Sequence, residues 1–351
     1  MTIFGILGCT ALMLAGFGIR DSIVDIPNKQ FNEIFYFDDM AYLTGNLNQS
    51  EIDNLFNDKH IKKRLDTKMV VSSSKGESGT NIFIPNAEKD ISNVMVLRDK
   101  KTKRKLKLED NKIIITDKLA ELKKKKIGDK LKIYDADGNS YYFEISGICE
   151  NYVGHYVFMN KKTYESSMGG YQTNMVYYTL DNIKYDARVS KNILKNDGVM
   201  SIISVNSTMK TVDNMLKSLN SVVFILIILS GALSFVVLYN LSYINISERK
   251  REIATLKVLG FTDKEVDNYI IKETTILTIL GILLGLLFGI ILTNLIIDTV
   301  EIEMVRFLHK INLISYIKVA FLVMLFNIIV SFIIHKHLRK IDMIESLKSV
   351  E

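Results

Sequence analysis

Four stretches of this 351-residue chain are apolar for long enough to cross a lipid bilayer, and nothing else in the sequence restricts its fold so much. A hydrocarbon core of ~30 Å takes about 20 helical residues. Residues 2–19, 222–241, 274–297 and 319–334, the last extended outward through Ile311, approach that length. Lipid offers no partner to backbone N–H and C=O groups, so such stretches are predicted to be helices. Lys318 falls near the start of the last, where its long stem can carry the ammonium to the interface. The expectation is an integral membrane α-helical protein with four transmembrane helices and an α+β extracytoplasmic domain inserted between helices 1 and 2.

The short loops set the orientation. Residues 245–272 carry Arg249, Lys250, Arg251, Lys257, Lys264 and Lys272, and the tail carries Lys336, Arg339, Lys340 and Lys348. Residues 298–312 carry only Arg306 and Lys310. Positive residues stay inside, which puts the first two segments in the cytoplasm and the third outside, together with the large insert. The sequence divides accordingly into helix 1 (1–20), the external domain (21–217), helix 2 (218–244), a cytoplasmic connector (245–272), helix 3 (273–297), an external loop (298–312), helix 4 (313–335) and a cytoplasmic tail (336–351). With no Trp in the chain, interfacial anchoring falls to Tyr239, Tyr243, Tyr269 and Tyr316. The net charge of +6 is split between two compartments and gives no argument for nucleic-acid binding. Cys9 and Cys149 lie in different segments, so no disulfide is expected between them.

Span one begins almost at Met1 with no basic residue ahead of it. Ile6-Leu7-Gly8-Cys9 faintly resembles a lipoprotein cleavage box, but the charged flank is missing and the apolar run continues past the cysteine. The expectation is the carboxy-terminal part of a longer membrane protein, or a start assigned late.

In the insert, residues 21–29 read as a linker ended by Pro27. Residues 49–65 read as a helix with Ser50 as N-cap and Ile52, Leu55 and Phe56 on one face. Short strands are predicted at 68–72, 81–84, 93–98 and 113–116, then a helix over 117–126. A hairpin joins 130–135 to 141–146, because Asp137-Gly138 suits the positive φ angles of a tight turn. Further strands are predicted at 152–159 and 175–180. Residues 205–219 should lead as a helix straight into span two, a stiff link between the insert and the membrane.

The connector is the most informative segment for function. Asn245 to Glu248 has N-cap spacing, and from there Ile246, Ile253, Leu256 and Leu259 fall on one helical face, with Arg249, Lys250, Glu252 and Lys257 largely on the other. Such a helix lies in the membrane interface or in a protein groove. Gly260 suits the C′ position that ends a helix, and Thr262 to Glu265 forms a capping box that restarts one toward span three. That span carries Gly281, Gly285 and Gly289 at four-residue spacing, a smooth stripe that permits close helix packing in lipid. A substrate path along the stripe is the alternative.

Glu248-Arg-Lys-Arg-Glu-Ile-Ala-Thr-Leu-Lys-Val-Leu-Gly260, the restarted helix, Glu273 and the glycine-rich span together resemble the signature region of FtsX-like permeases, the membrane subunits of MacB-type (type VII) ABC transporters. The order of one span, a large external domain and three further spans is similar too. So are Ile127-Gly-Asp-Lys-Leu-Lys-Ile-Tyr and Phe143-Glu-Ile-Ser-Gly-Ile in the insert, and the ending Arg339-Lys-Ile-Asp-Met-Ile-Glu-Ser-Leu-Lys348. The resemblance implies a bacterial cytoplasmic membrane protein working with two copies of a separate ABC-type ATPase, a second permease copy or paralogous half, and membrane lipids. It implies that Glu248, Arg249, Arg251, Glu252, Ile253, Leu256, Leu259 and Gly260 couple to the ATPase, and that motion passes through rigid helices to the external domain (mechanotransmission). Efflux, lipid or lipoprotein extraction, or antimicrobial-peptide resistance would be the output. The alternative output is FtsX-type signalling, with an external cell-wall hydrolase controlled during division, and a sensor without an ATPase is a third reading. The amino end departs from the family, whose basic or amphipathic segment before span one is missing here; the chain could be the second of two tandem modules.

No catalytic apparatus is legible. The phosphate-cradling Gly-x-x-x-x-Gly-Lys-Ser/Thr loop of an ATPase is missing from the sequence, so energy is expected from a partner. No cofactor and no metal site is expected. Asp135-x-Asp137-Gly-Asn139 opens like a calcium loop, but Ser140 and Ser146 stand where Gly and Glu are required, which favours a hairpin tip. His155, His309, His335 and His337 have no zinc-ligand spacing. Glu273 at the entry of span three reads as a packing or snorkelling residue, with a proton relay as the alternative. The basic runs 100–107 and 123–126 read as solvated surface, or as a patch for an anionic ligand.

Overall fold

The computed structural model describes residues 2–72, 79–135, 138–248, 252, 255–256 and 258–338. In chain order the main elements are α1 (Thr2–Val24), β1 (Asp39–Leu43), α2 (Gln49–Leu55), β2 (Ile61–Ser72), β3 (Thr80–Pro85), β4 (Lys112–Thr116), α3 (Asp117–Leu122), β5 (Lys130–Tyr134), β6 (Ser140–Cys149), β7 (Tyr156–Phe158), α4 (Lys161–Ser167), β8 (Met175–Leu180), α5 (Asp186–Ile193), β9 (Val199–Ser204), α6 (Val205–Glu248), α7 (Asp263–Val300) and α8 (Leu313–Leu338). They form two compact units. The sheet unit takes in Asp25–Met215 together with Glu301–Phe307, and the helical unit takes in α1, most of α6, α7 and α8.

The strands of the sheet unit form one mixed sheet in the order β5-β6-β4-β7-β3-β2-β8-β1-β9. Its pairs are antiparallel except β3 with β7 and β4 with β6. β5 and β6 alternate exposed and buried positions, and the register Leu131 opposite Phe143 and Ile133 opposite Tyr141 follows that alternation. Two apolar clusters cover the sheet. One gathers Ile82, Ile84, Ile113, Ile115, Leu131 and Ile145 with Leu119 of α3 and Tyr164 of α4. The other gathers Ala41, Val176 and Tyr178 with Ile52 of α2 and Val189 and Ile193 of α5. α2 starts on a reciprocal cap: Asn48 Oδ1 accepts from the Glu51 N–H at 2.9 Å, and Glu51 Oε2 accepts from the Asn48 N–H at 2.8 Å.

Among the described residues, the runs Ile3–Ile34, Lys272–Val300 and Leu313–Ile333 are long and apolar enough to cross a membrane, judged by length and composition; the first of them runs on past Val24 into the sheet unit. The apolar part of α6, Phe224–Asn240, is shorter. Half of the first run's apolar window is buried inside the protein, against 28% for the other two, which makes α1 the inner helix. Ile6, Met13 and Leu14 of α1 join Leu238, Ile282, Val319, Val323 and Val330 in one cluster. Leu287, Ile291 and Leu295 of α7 and Phe321, Ile328 and Phe332 of α8 are exposed, as suits lipid-facing positions.

Several expectations are corrected. Residues 21–29 are helical rather than a linker: α1 continues to Val24, Pro27 sits in the first turn of the short helix Ile26–Asn28, and π-type turns follow over Lys29–Ile34. Proline is tolerated there because the first helical N–H groups have no intrahelical partner. The helix predicted over 49–65 stops at Leu55, capped by Asn48 and not Ser50, because 61–72 are drawn into the sheet between β8 and β3. Residues 93–98 form isolated bridges at Met95 and Arg98 after the 3₁₀ turn Glu88–Asn93. The helix at 117 ends at Leu122, and the strand at 152–159 is only Tyr156–Phe158. Asn245 to Glu248 lies in the last described turn of α6, and the described residues 252, 255–256 and 258 of the connector are helical as well.

Candidate functional site

The connector between α6 and α7 is built around a break and a restart. The Phe261 N–H donates back to the Leu256 carbonyl at 3.1 Å and the Leu259 N–H to the Thr255 carbonyl at 3.0 Å. The six-residue ring closed by Phe261 is the Schellman arrangement, with Gly260 as its left-handed residue at φ +97°. A Cβ at Gly260 would meet nothing within 4 Å, so glycine is needed there for its conformation and not for space. Two residues on, Glu265 Oε2 accepts from both the Thr262 N–H and the Thr262 hydroxyl, each at 2.8 Å. Those hydrogen bonds hold the Glu265 carboxyl below its ordinary pKa. The Glu265 and Val266 N–H groups bond to the Thr262 carbonyl at 3.0 and 3.2 Å, which starts α7.

The apolar residues of this segment do not share one face. Leu256 packs against the helical core, whereas Val258 is 65% and Leu259 71% exposed. Beside them a groove of about 610 Å³ is lined by Leu256, Phe261 and Val266, with Glu252, Thr255 and Glu265 completing the wall. Glu248 is exposed at the end of α6 and Glu252 is exposed; Arg249, Arg251 and Ile253 lie outside the described residues. Glu273 is half-buried early in the apolar part of α7.

Gly281, Gly285 and Gly289 face α1. A Cβ at Gly281 would lie 2.8 Å from Ile6, one at Gly289 2.8 Å from Leu14, and one at Gly285 2.5 Å from the Thr10 Cβ and 2.9 Å from the Leu7 carbonyl oxygen. The α1 residues met, Ile6, Thr10 and Leu14, repeat the same four-residue spacing. The Thr10 hydroxyl donates to the Ile6 carbonyl at 2.7 Å, so the polar group facing the stripe is satisfied within its own helix.

Two features escaped the reading of the sequence. Asp21, 3% exposed near the carboxy end of α1, accepts from the Asn312 N–H at 3.0 Å and the Ser315 hydroxyl at 2.6 Å. It therefore places a carboxylate on the first turn of α8, where the helix dipole favours negative charge. The spacing Asn312-x-x-Ser315 was the available signal, but Asp21 read as the start of a linker. The second is Glu301–Phe307, which belongs to the sheet unit. Gly154 donates to the Met304 carbonyl at 2.8 Å and Arg306 to the Tyr152 carbonyl at 2.7 Å, around a bridge between Val153 and Val305. Glu301 pairs with Lys118, and Arg306 pairs with Glu121 and, at 3.7 Å, with Asp117. The hydrogen bond from Arg306 holds the Glu121 carboxyl below its ordinary pKa.

The remaining candidates resolve into local structure. Asp135 accepts from the Asn139 N–H at 2.8 Å, the Asn139 amide at 3.0 Å and the Tyr141 hydroxyl at 3.0 Å, a hairpin tip; Asp137 lies outside the described residues. His155 is buried, and burial pushes its pKa down. His309 meets Asp298 at 2.8 Å, while His335 and His337 carry no side-chain description. Among the described residues no group of three His, Cys, Asp or Glu is placed to hold a metal ion. Cys9 and Cys149 are buried free thiols. In the first basic run, Lys100 pairs with Asp117 at 2.8 Å and Lys103 with Glu150 at 2.7 Å, while Lys105 and Lys107 border a groove of about 370 Å³ with Leu97, Leu106 and Leu108.

Apolar helices, lipid-facing exposed side chains and a separate sheet unit define a multi-pass membrane protein. Residues 224–343 match the family model described as FtsX-like permease C-terminal. The match takes in the helices from the apolar part of α6 onward, so this part of the chain is similar to the carboxy-terminal region of FtsX-like permeases. Three solved structures are similar to part of the chain. The periplasmic region of MacB from Actinobacillus actinomycetemcomitans shares 10% identity over 52% of this chain and 94% of that one, with a TM-score of 0.33. The extracellular domain of the noncanonic ABC-type transporter YknZ from Gram-positive bacteria shares 13% identity over 47% and 99%, with a TM-score of 0.31. A putative lipoprotein from Bacillus anthracis shares 12% over 48% and 96%, with a TM-score of 0.29. Among curated proteins nothing matches the chain.

Proposed function

We propose that this chain is the permease subunit of an ABC-type transporter, a four-span protein of the bacterial cytoplasmic membrane that passes motion from a separate cytoplasmic ATPase to its sheet unit outside. The connector is the observation that carries this reading. Exposed Val258 and Leu259 stand at a helix break held by hydrogen bonds on both sides, next to a groove with an apolar floor and two carboxylates, Glu252 and Glu265. Such a surface suits a protein partner that supplies an apolar side chain and a cation. Glu248, Arg249, Arg251, Glu252, Ile253, Leu256, Leu259 and Gly260 are the proposed docking residues, and Gly281, Gly285 and Gly289 the proposed seat of α1. The surplus of Arg and Lys in the connector and tail supports a cytoplasmic position for both. Residues 222–241 count as the fourth span, since a few residues of shortfall are met by local thinning of the bilayer. The continuity of α6 from β9 onward supports transmission by a helix instead of a flexible tether. Two ATPase copies and a second permease copy complete the proposed assembly, with efflux, lipid or lipoprotein extraction, or peptide resistance as its output.

The test is co-purification from membranes followed by ATPase measurement in nanodiscs. An ABC-type ATPase is expected to co-purify, and Gly260→Pro and Leu259→Glu should lower its permease-stimulated turnover at least about tenfold, a loss of ~1.4 kcal/mol in coupling. Leu259 is exposed, so its variant separates docking from folding. Full stimulation in both variants, or recovery without any ATPase, overturns the reading.

A further inference from the structure

Asp39 is the most costly side chain of the sheet unit that nothing above explains. It is 0% exposed, and among the described residues neither carboxylate oxygen has a hydrogen bond of normal geometry, although the Ser204 and Tyr178 hydroxyls and the Asp186 carboxyl lie close by. A buried ionised carboxylate without partners is strongly disfavoured, and each such group needs a reason. It lies on β1 directly between Tyr178 of β8 and Ser204 of β9. Asp186, the first residue of α5, covers the same spot: its two oxygens accept from the Ser204 hydroxyl at 2.8 Å and the Ser190 hydroxyl at 3.2 Å, and Ser190 lies 3.4 Å from the Tyr178 hydroxyl. The titratable groups facing Asp39 are thus Asp186, Asp38 and Tyr178.

The buried Asp39 and the half-buried Asp186 are not equivalent. Asp186 has two well-formed hydroxyl hydrogen bonds and a helix start to favour its charge; Asp39 lies wholly inside the sheet, has no helix start, and meets the Ser204 and Tyr178 hydroxyls only without good hydrogen-bond geometry. The site also adjoins α6. Ser204 ends β9, Val205 opens α6, and the Val205 N–H donates to the Asp38 carbonyl at 2.8 Å. We propose that Asp39 and Asp186 form a proton-binding site at the root of α6, in which Asp39 holds the proton and its loss loosens the β1–β9 pairing that seats the helix.

Burial first, and the Asp186 charge second, push the Asp39 carboxyl up from 3.8 to about 7. With the folded value above the unfolded one, the folded state holds the extra proton between those limits. Stability contributed by the site is therefore full below the ordinary carboxylate range, falls as pH rises toward 7, and is gone above it. A proton suits the site better than a metal ion, since no third ligand is in place among the described residues.

The experiment is infrared difference titration of the full chain in lipid nanodiscs between pH 5 and 9, read at the carbonyl stretch of protonated carboxyls. A buried carboxyl band should disappear with a midpoint about 7. Asp39→Asn should remove the band, and Asp186→Asn should keep it and move the midpoint to lower pH. Hydrogen exchange over 199–208 should speed up with rising pH beyond its intrinsic change, by at most about tenfold per unit for one linked proton, and lose that excess in Asp39→Asn. The wild-type titration and the Asp186 variant stand on their own if Asp39→Asn does not fold. No band with a midpoint near 7, or a band that survives Asp39→Asn, overturns the proposal; so does a midpoint lowered by millimolar Ca²⁺ or Mg²⁺, which would make this a cation site.

Discussion

Along the face that α7 turns to α1, a Cβ placed at Gly281, Gly285 or Gly289 would lie between 2.5 and 2.9 Å from the neighbouring helix, so the approach is set by atoms that are missing. Glu301–Phe307 is held by the opposite means: ion pairs to Lys118, Asp117 and Glu121 and backbone hydrogen bonds to Tyr152 and Gly154. Lipid tails are as apolar as leucine, so helices gain little by hiding apolar surface from them and must gain contact instead. A water-facing sheet can bury apolar area for its stability and spend polar groups on fixing where a segment docks.

The largest effect expected from breaking this contrast is in the sheet unit. Lys118 and Glu301 are only 10% and 7% exposed. Glu301→Ala leaves a buried ammonium unpaired and should cost ~3–5 kcal/mol, seen as a lowered unfolding midpoint and early proteolysis at 301–307, whereas Lys118→Met with Glu301→Leu should recover most of it. If the single variant unfolds like the wild type, the ion pair does not hold the segment.

A middle-sized effect belongs to the stripe. Gly285→Val should cost about 1–3 kcal/mol by overpacking, because the Leu7 carbonyl oxygen on its path is backbone and cannot swing aside. Thermal unfolding in detergent, with α1 and α7 tracked by cross-linking, would show whether the two helices separate. A valine tolerated without loss would mean the close approach is not required.

The smallest effect sharpens the comparison within one residue type. Gly260 has open space and a positive φ, so Gly260→Ala should cost only ~1–2 kcal/mol, confined to the connector, and Gly260→Asn less. Exchange protection at Phe261 and Val266 is the readout, with the stripe variant as control. Equal loss throughout α7 would remove the distinction between a steric and a conformational glycine.

These differences explain what could be read from the sequence. The apolar runs, the Asp137-Gly138 hairpin and the Gly260 break are local signals, and each corresponds to an element or a backbone angle in the structure. β2 was half lost because Ile61 to Leu65 follow a real helix start and are claimed by β8, more than a hundred residues away. β1 and β9 were missed for a related reason: Asp38 and Asp39 interrupt any apolar alternation at β1, and only β1 gives β9 a partner. In the connector, position along the helix was legible but facing was not, since Leu256 and Leu259 sit three residues apart and only the first packs inward. Asp21 and Glu301–Phe307 act through partners distant in the chain, which no local pattern contains.

Glu301–Phe307 also sets an order of events during synthesis. The sheet is drawn from residues that leave the ribosome before α6, yet the segment covering Lys118 arrives only after α6, the connector and α7 have been made. Domains fold as their residues emerge, so this one must wait, nearly complete, with a buried cation still unmatched. Under the proposed topology, its last step then reports that α7 has gone through the membrane the right way round, and a chain threaded incorrectly keeps an unfinished, protease-sensitive domain.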